Sequence, residues 1–222
     1  MTTFSTNMLR AESFDISDPE IKIECRWSDV VVVESPDSMV HIEIVGEGSN
    51  SAEFADMVNI SRSENRLKIQ MDKRNGLKDF LNRGASQLTL FIKVPSSAEL
   101  KIESVLGDVL VEQTVASAQF TTVSGDIKFV KSPTGKLSVT SVSGDVVAHI
   151  SCASELSFKT VSGDVRVFVI PGFEVEVDGN TVSGNLNSEI ALNSSDGQAD
   201  GTAELVKLKV NTVSGDFTLA RS

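Results

Sequence analysis

Six short segments constrain this chain more than anything else in it. They are SVLGDVLV at 104–111, TVSGDIKF at 122–129, SVSGDVVA at 141–148, TVSGDVRV at 160–167, TVSGNLNS at 181–188 and TVSGDFTL at 212–219. Their glycines are Gly107, Gly125, Gly144, Gly163, Gly184 and Gly215, at spacings of 18, 19, 19, 21 and 31 residues. A period near 19 marks a supersecondary unit that stacks on copies of itself. The last spacing reads as one unit of 19 plus 12 residues of surface loop, NSSDGQADGTAE at 193–204.

Inside each unit the apolar residues alternate, and then the alternation slips by one. In KLSVTSVSGDVVAHI, Leu137 and Val139 alternate with polar neighbours. Then Val142, Gly144, Val146, Ala148 and Ile150 alternate on the other parity. Such a slip would turn a straight strand inside out. A bend at the Thr–Val or Ser–Val junction returns both apolar sets to one interior. On this reading the valine and the glycine that follow the bend point inward. Glycine then avoids a collision with the neighbouring wall, or supplies a positive φ. Each unit carries two or three short strands that pair in parallel with the next unit. The expected fold is all-β: a parallel β-helix, or solenoid, over 98–222. The competing arrangement is an antiparallel meander with Ser-Gly or Gly-Asp turns, and it requires the alternation to stop at SGD.

Residues 1–97 are less regular. IKIEC (21–25), VVVE (31–34), VHIEIV (40–45), MVNI (57–60), LKIQM (67–71) and LTLFIKV (88–94) read as strands. They are expected to form an irregular β region that caps or begins the solenoid. Ile21–Ile23 and Val40–Ile42 are again 19 residues apart, so coils are expected to begin early. The basic stretch DKRNGLKDFLNRGAS, within 72–87, reads as a loop over the coil end, with docking of an acidic partner as its functional alternative.

The repeated T-V-S-G-D-V units resemble the bacterial "putative adhesin" domain family, a domain of unknown function. The lead-in LTLFIKVPSSAELKIES at 88–104, with its Val-Pro step, is part of the resemblance. It covers 88–222 well and 12–71 in general pattern. The resemblance implies a β-helical, non-catalytic domain with a regulatory or adhesive role at the surface or envelope. The N-terminal MTTFSTNMLRAESFDIS has no basic start followed by an apolar stretch, which points to the cytoplasm, with envelope association as the alternative.

The formal net charge of −11 sets the partner class. Phosphate binding needs clustered Lys and Arg, so nucleic acid is excluded as an expected partner. No apolar run of eighteen residues occurs, so no helix is expected to span a membrane. Cys25 and Cys152, far apart, read as reduced thiols in packed positions.

The strongest chemical pattern is the column Asp108, Asp126, Asp145, Asp164 and Asp216, with Asn185 in the same slot. Stacked about 4.8 Å apart, two carboxylates repel by about 0.9 kcal/mol in water and about 3.5 kcal/mol at an effective dielectric of 20. Such a column needs solvent, backbone N–H donors or cations. It is the candidate ligand or cation ladder, although it lacks the G-G-x-G-x-D-x-U-x pattern of calcium β-rolls, and no metal or cofactor is assigned. Asp126, Asp145 and Asp164 are also the carboxylates that a carbohydrate-active β-helix enzyme would use. General acid and base need unlike environments, and a uniform ladder does not provide them. His41 and His149 are outward by parity, with no partner at ligand spacing. The serines of VSGD read as a hydrogen-bond ladder. Outward Phe168, with Val130, marks a face that another layer or subunit would cover. The last unit ends within three residues of Ser222, so its strand edges read as open. The sequence therefore supports a non-enzymatic binding or scaffold module for a protein or glycan partner, or a homo-oligomer through the open C-terminal rung.

Overall fold

The computed structural model describes residues 7–48, 50–71, 87–152, 154–190 and 204–222. The loop expectations at 72–87 and 193–204 fall almost wholly outside these residues. Among the described residues the protein is all-β, with nineteen strands and one short helix. The strands form a nine-stranded sheet, here sheet 1, and a ten-stranded sheet, sheet 2.

The N-terminal part comprises β1 (Met8–Phe14), β2 (Glu20–Glu24), β3 (Asp29–Glu34), β4 (Val40–Glu47), α1 (Ser51–Asp56), β5 (Val58–Ser63), β6 (Arg66–Met71) and β7 (Gln87–Val94). The repeats follow as strand pairs: β8 (Glu99–Leu106) with β9 (Val109–Val111), and β10 (Ser117–Ser124) with β11 (Ile127–Phe129). Next come β12 (Lys136–Ser143) with β13 (Val146–Ile150), and β14 (Glu155–Ser162) with β15 (Val165–Val169). The last are β16 (Phe173–Ser183) with β17 (Leu186–Ser188), and β18 (Glu204–Ser214) with β19 (Phe217–Arg221). The first strand of each pair joins sheet 1 and the second joins sheet 2. Neighbouring repeats pair in parallel, for example Leu137 beside Leu156 and Val146 beside Val165.

The inner faces of the two sheets make one apolar core. Phe120, Val139, Phe158 and Val210 line sheet 1, and Phe129, Ala148, Val167 and Leu219 line sheet 2, all at most 1% exposed. Phe120 and Phe129 meet edge to face with centroids 4.9 Å apart, an arrangement favoured by the ring quadrupoles. The outer face of sheet 1 is charged and laced with ion pairs such as Lys22–Glu24 at 2.6 Å and Lys136–Glu155 at 3.2 Å. The N-terminal strands belong to the same two sheets: β2 pairs in parallel with β8, and β3 with β9.

Three expectations need correction. First, the valine after each Thr or Ser does not point inward. Val123, Val142 and Val161 are 47–48% exposed, while Thr122, Ser141 and Thr160 before them are buried. The long strand continues through the valine and serine, and the slip in parity falls at Ser-Gly-Asp. Second, Ile21 and Val40 are not equivalent positions on successive coils. β2 lies in sheet 1, whereas β4 lies in sheet 2 and runs antiparallel to β7 and β1. Third, the last repeat is not the open end of the stack. Sheet 1 runs β14-β18-β16 and sheet 2 runs β15-β19-β17. The final pair is thus inserted between two earlier ones, so a homo-oligomer through an open C-terminal rung has no such rung to use. Core composition explains the order. β18 and β19 supply Val206, Leu208, Val210, Phe217 and Leu219, all at most 2% exposed. The inward positions of β16 and β17 include Gly179, Thr181 and Ser188, which suit an end rung. β1 and α1 were not anticipated, because neither segment carries a strong apolar period.

Phe158→Ala is expected to cost about 3–5 kcal/mol, the range for truncating a fully buried aromatic ring, whereas Val142→Ala is expected to stay within about 1 kcal/mol. Urea unfolding of the two variants against the native chain checks this contrast.

Candidate functional site

The corner between each long and short strand is where backbones approach most closely. Gly107, Gly125, Gly144, Gly163, Gly215 and Gly184 stack in that order, with φ between +128° and +151°. At Gly144, a Cβ would fall well inside contact distance of the carbonyl oxygen of Gly125. Both physical reasons for glycine therefore hold at once, the positive φ and the absence of room. In the first coil the slot is occupied by Ser28, whose carbonyl oxygen faces Gly107.

One residue further on, the aspartates connect rung to rung. Asp126 donates its backbone N–H to Asp108 Oδ1 at 2.8 Å, and Asp145 donates to Asp126 Oδ1 at 2.8 Å. Asp164 donates to Asp145 at 2.9 Å, Asp216 to Asp164 at 3.0 Å, and Asn185 to Asp216 at 2.8 Å. The backbone carbonyls run the opposite way, as in Val146 N–H to Asp164 O at 2.8 Å. Each carboxylate thus satisfies a corner amide that no strand partner reaches. This is how a column of like charges is tolerated: every Oδ1 holds a backbone donor. On the outer side, Arg166 reaches Asp164 Oδ2 at 2.8 Å and Asp145 Oδ2 at 3.4 Å.

The structure brings all five sequence-selected aspartates and Asn185 into one line. The ladder also has a first member that the glycine alignment missed. Asp108 donates its N–H to Asp29 Oδ1 at 2.9 Å. The signal lay in RWSD at 26–29, which occupies the VLGD position of the first coil with serine for glycine. Behind the corner, buried hydroxyls serve the same turns. Thr122 Oγ1 donates to Ser124 O at 3.2 Å, and Thr212 Oγ1 to Gly215 O at 3.2 Å. The polar ladder inside the corner is therefore made by the threonines, while the VSGD serines face outward.

Depressions of about 400 Å³ beside Lys136, Ser138, Ser157 and Lys209, and about 470 Å³ beside Lys22, Lys68, Lys101 and Gln119, open on the outer face of sheet 1. The aspartate ladder borders neither. No group of three or more His, Cys, Asp or Glu arranged to hold a metal occurs among the described residues.

The two histidines have partners that spacing did not suggest. His41 Nδ1 lies 2.8 Å from Ser13 Oγ, and its Nε2 lies 2.7 Å from Asp37 Oδ1. Ser13 and His41 face each other on paired strands, so the contact is a cross-strand pair. Asp37 also accepts from Met39 N–H and Ser35 Oγ, each at 3.1 Å, which makes it the organiser of the turn before β4. His149 stacks on outward Phe168 at 4.9 Å. Cys25 is buried, and burial pushes its thiol up from the ordinary range, so it stays protonated and inert.

Two parallel-paired sheets, joined repeat by repeat at a carboxylate-bridged corner, define a repetitive all-β class of domain. The chain belongs to the Toastrack DUF4097 family, which it matches over residues 19–146 and 96–220. Among solved structures it is similar to a putative cell adhesion protein from Clostridium sporogenes, at 11% identity and a TM-score of 0.58, covering 96% of this chain and 99% of that one. It is also similar to a putative adhesin from Bacteroides fragilis, at 14% identity and a TM-score of 0.52, covering 96% of both. These likenesses show a shared fold. None of the curated proteins matches the sequence. No helix among the described residues is long and apolar enough to cross a membrane.

Two predictions follow from the corner and from the charged surface. Gly144→Ala should cost at least about 3 kcal/mol, combining a strained φ with a backbone collision, while Asp145→Asn should cost about 1 kcal/mol or less, since an amide Oδ1 can still accept the N–H of Asp164. Thermal unfolding of both variants checks the contrast. Hydrogen bonds from Arg66 and Lys22 hold the Glu20 and Glu24 carboxyls below their usual values, and His41 does the same for Asp37. Depressed carboxyls contribute stability above their unfolded values, near 4.5 and 3.8, and lose it as pH falls through the folded values. Lys22, raised by Glu24, contributes below its unfolded value of 10.5 and loses this as pH rises through the folded value. Stability measured against pH should therefore show a plateau that falls at both ends, and the acid limb should shift when Glu24 is replaced by Gln.

Proposed function

We propose that the chain is a β-solenoid scaffold, in which residues 1–97 begin and cap the same coil that 98–222 continue, and that it works by presenting a rigid repeated surface to a protein or glycan partner or to itself. One observation carries this reading. Every ladder aspartate spends its carboxylate in the same way, on the amide of the next rung. Acid–base chemistry requires two carboxylates held in unlike surroundings. Here all six Oδ1 atoms do the same job within the fold. Among the described residues the outer oxygens differ only in pairing to a side chain, Gln87 at Asp29 and Arg166 at Asp145 and Asp164, with no apolar pocket to set one carboxyl apart as an acid. Parallel pairing across the 97/98 boundary supports treating both parts as one coil. The adhesion-related names of the two structural relatives are consistent with a surface-contact role at the cell envelope.

The test compares hydrolysis with binding. Acidic polysaccharides such as polygalacturonate and alginate should release no reducing ends above the buffer rate, and a glycan array should report retention without turnover or no retention at all. Turnover that Asp145→Asn abolishes, in a variant whose circular dichroism matches the native chain, would sink the scaffold reading in favour of a carbohydrate-active enzyme.

A further inference from the structure

The corrected placement of the valines leaves a feature that the corner itself does not use. In stack order, Val105, Val123, Val142, Val161, Val213 and Val182 occupy one outward column, brought side by side by the pairing of β8, β10, β12, β14, β18 and β16. Their exposures are 42%, 48%, 47%, 48%, 48% and 79%. At about 4.8 Å per rung, the five intervals make an unbroken apolar ridge about 24 Å long. The register of β2 with β8 sets Arg26 beside Val105, so the ridge stops at a charge at that end. Lone exposed valines need no explanation, but a contiguous apolar line does.

We infer that this ridge is a self-association surface, on which a second copy packs valine against valine with the two stacks running parallel. The inference rests on the scaffold reading and names one partner for it. Pitch is the first argument. A second copy repeats at the same interval and meets the ridge at every rung. An α-helix advances 5.4 Å per turn and would be out of step by about 3 Å after five intervals.

Charge is the second argument, and it fixes the orientation. One flank of the ridge carries the outward serines and the aspartate ladder. The other carries Glu103, Thr121, Thr140, Lys159, Asn211 and Asn180; Glu103 is paired with Lys22 and Lys101, and the rest offer hydroxyl, ammonium and amide donors. A two-fold axis along the ridge sets the aspartate flank of each copy against the donor flank of the other. An axis across the ridge sets aspartates on aspartates, which repel.

Width is the third argument. A ridge one side chain wide falls short of the roughly 800 Å² per partner of a stable interface, so association belongs in the micromolar to millimolar range.

Sedimentation velocity from about 10 μM to about 1 mM should show the mean mass of the native chain rising toward a dimer. Val142→Thr combined with Val161→Thr keeps the β-branched shape and removes the apolar contact, and it should weaken association at least about tenfold with circular dichroism unchanged. Orientation is read by oxidation of single-cysteine variants made in a Cys152→Ser chain, in which Cys25 stays buried. Val105→Cys alone should give a disulfide-linked dimer. A link that forms only when Val105→Cys is mixed with Val182→Cys overturns the parallel arrangement. Undiminished association of the double threonine variant overturns the ridge as the surface. A native chain that stays monomeric throughout overturns self-association and leaves the scaffold reading standing, since that reading is tested by turnover and glycan retention.

Discussion

The close approach of one backbone to the next at the glycine corner is the constraint from which the rest of the structure follows. The corner residue must accept a φ near +130° with another carbonyl where its side chain would be. That condition holds rung after rung, so the chain must return to the same place with the same backbone shape. Returning to it aligns the strands in parallel, while the connections between successive corners vary, from 18 to 31 residues among the glycines. The approach also strands an amide on each rung, and the aspartate of the neighbouring rung answers it. Glycine and aspartate are thus two halves of one solution. Glycine permits the approach, and aspartate satisfies what the approach leaves unpaired.

This explains which parts of the fold can be read from the sequence. The glycines, the aspartates and the alternation around them were legible because each answers a local chemical need that recurs in every repeat. The valines were misread because period two was carried through a corner, whereas the slip falls at Ser-Gly-Asp and turns the preceding side chain outward. Asp29 was overlooked because Ser28 stands where the other coils have glycine, and alignment on glycine alone cannot see it. The order of the last rungs was not legible at all. Gly184 and Gly215 sit in the same motif, and only the competition between two sets of inward residues decides which pair takes the inner slot. β4 alternates like any half-buried strand, so its pattern resembles that of a coil strand, and its antiparallel direction follows the short turn at 35–39, which reverses the chain after β3.

The two sheets meet solvent differently, and the difference bears on function. Sheet 1 shows the solvent lysines and glutamates paired within and across strands, each exposed pair worth only a few tenths of a kcal/mol to about 1 kcal/mol. Such a charged surface disfavours sheet-to-sheet stacking. Sheet 2 shows Val31, Leu110, Val147 and Phe168 among fewer charges, all half-buried. The exposed valine ridge runs along the edge where sheet 1 turns toward sheet 2. A long object built this way has distinct sides, so a partner can meet it in a defined orientation even though each rung looks like the next.

The out-of-order rung has a consequence for how the molecule is made. During synthesis β16 and β17 leave the ribosome before β18 and β19, yet they belong outside them. Both segments carry the same Thr-Val-Ser-Gly phase, so the vacant edge of β14 and β15 meets an imperfect match first and the better one last. The stack is therefore complete only when the last segment has been made: β18 and β19 fill the edge of β14 and β15, and the earlier-made β16 and β17 find their place outside them.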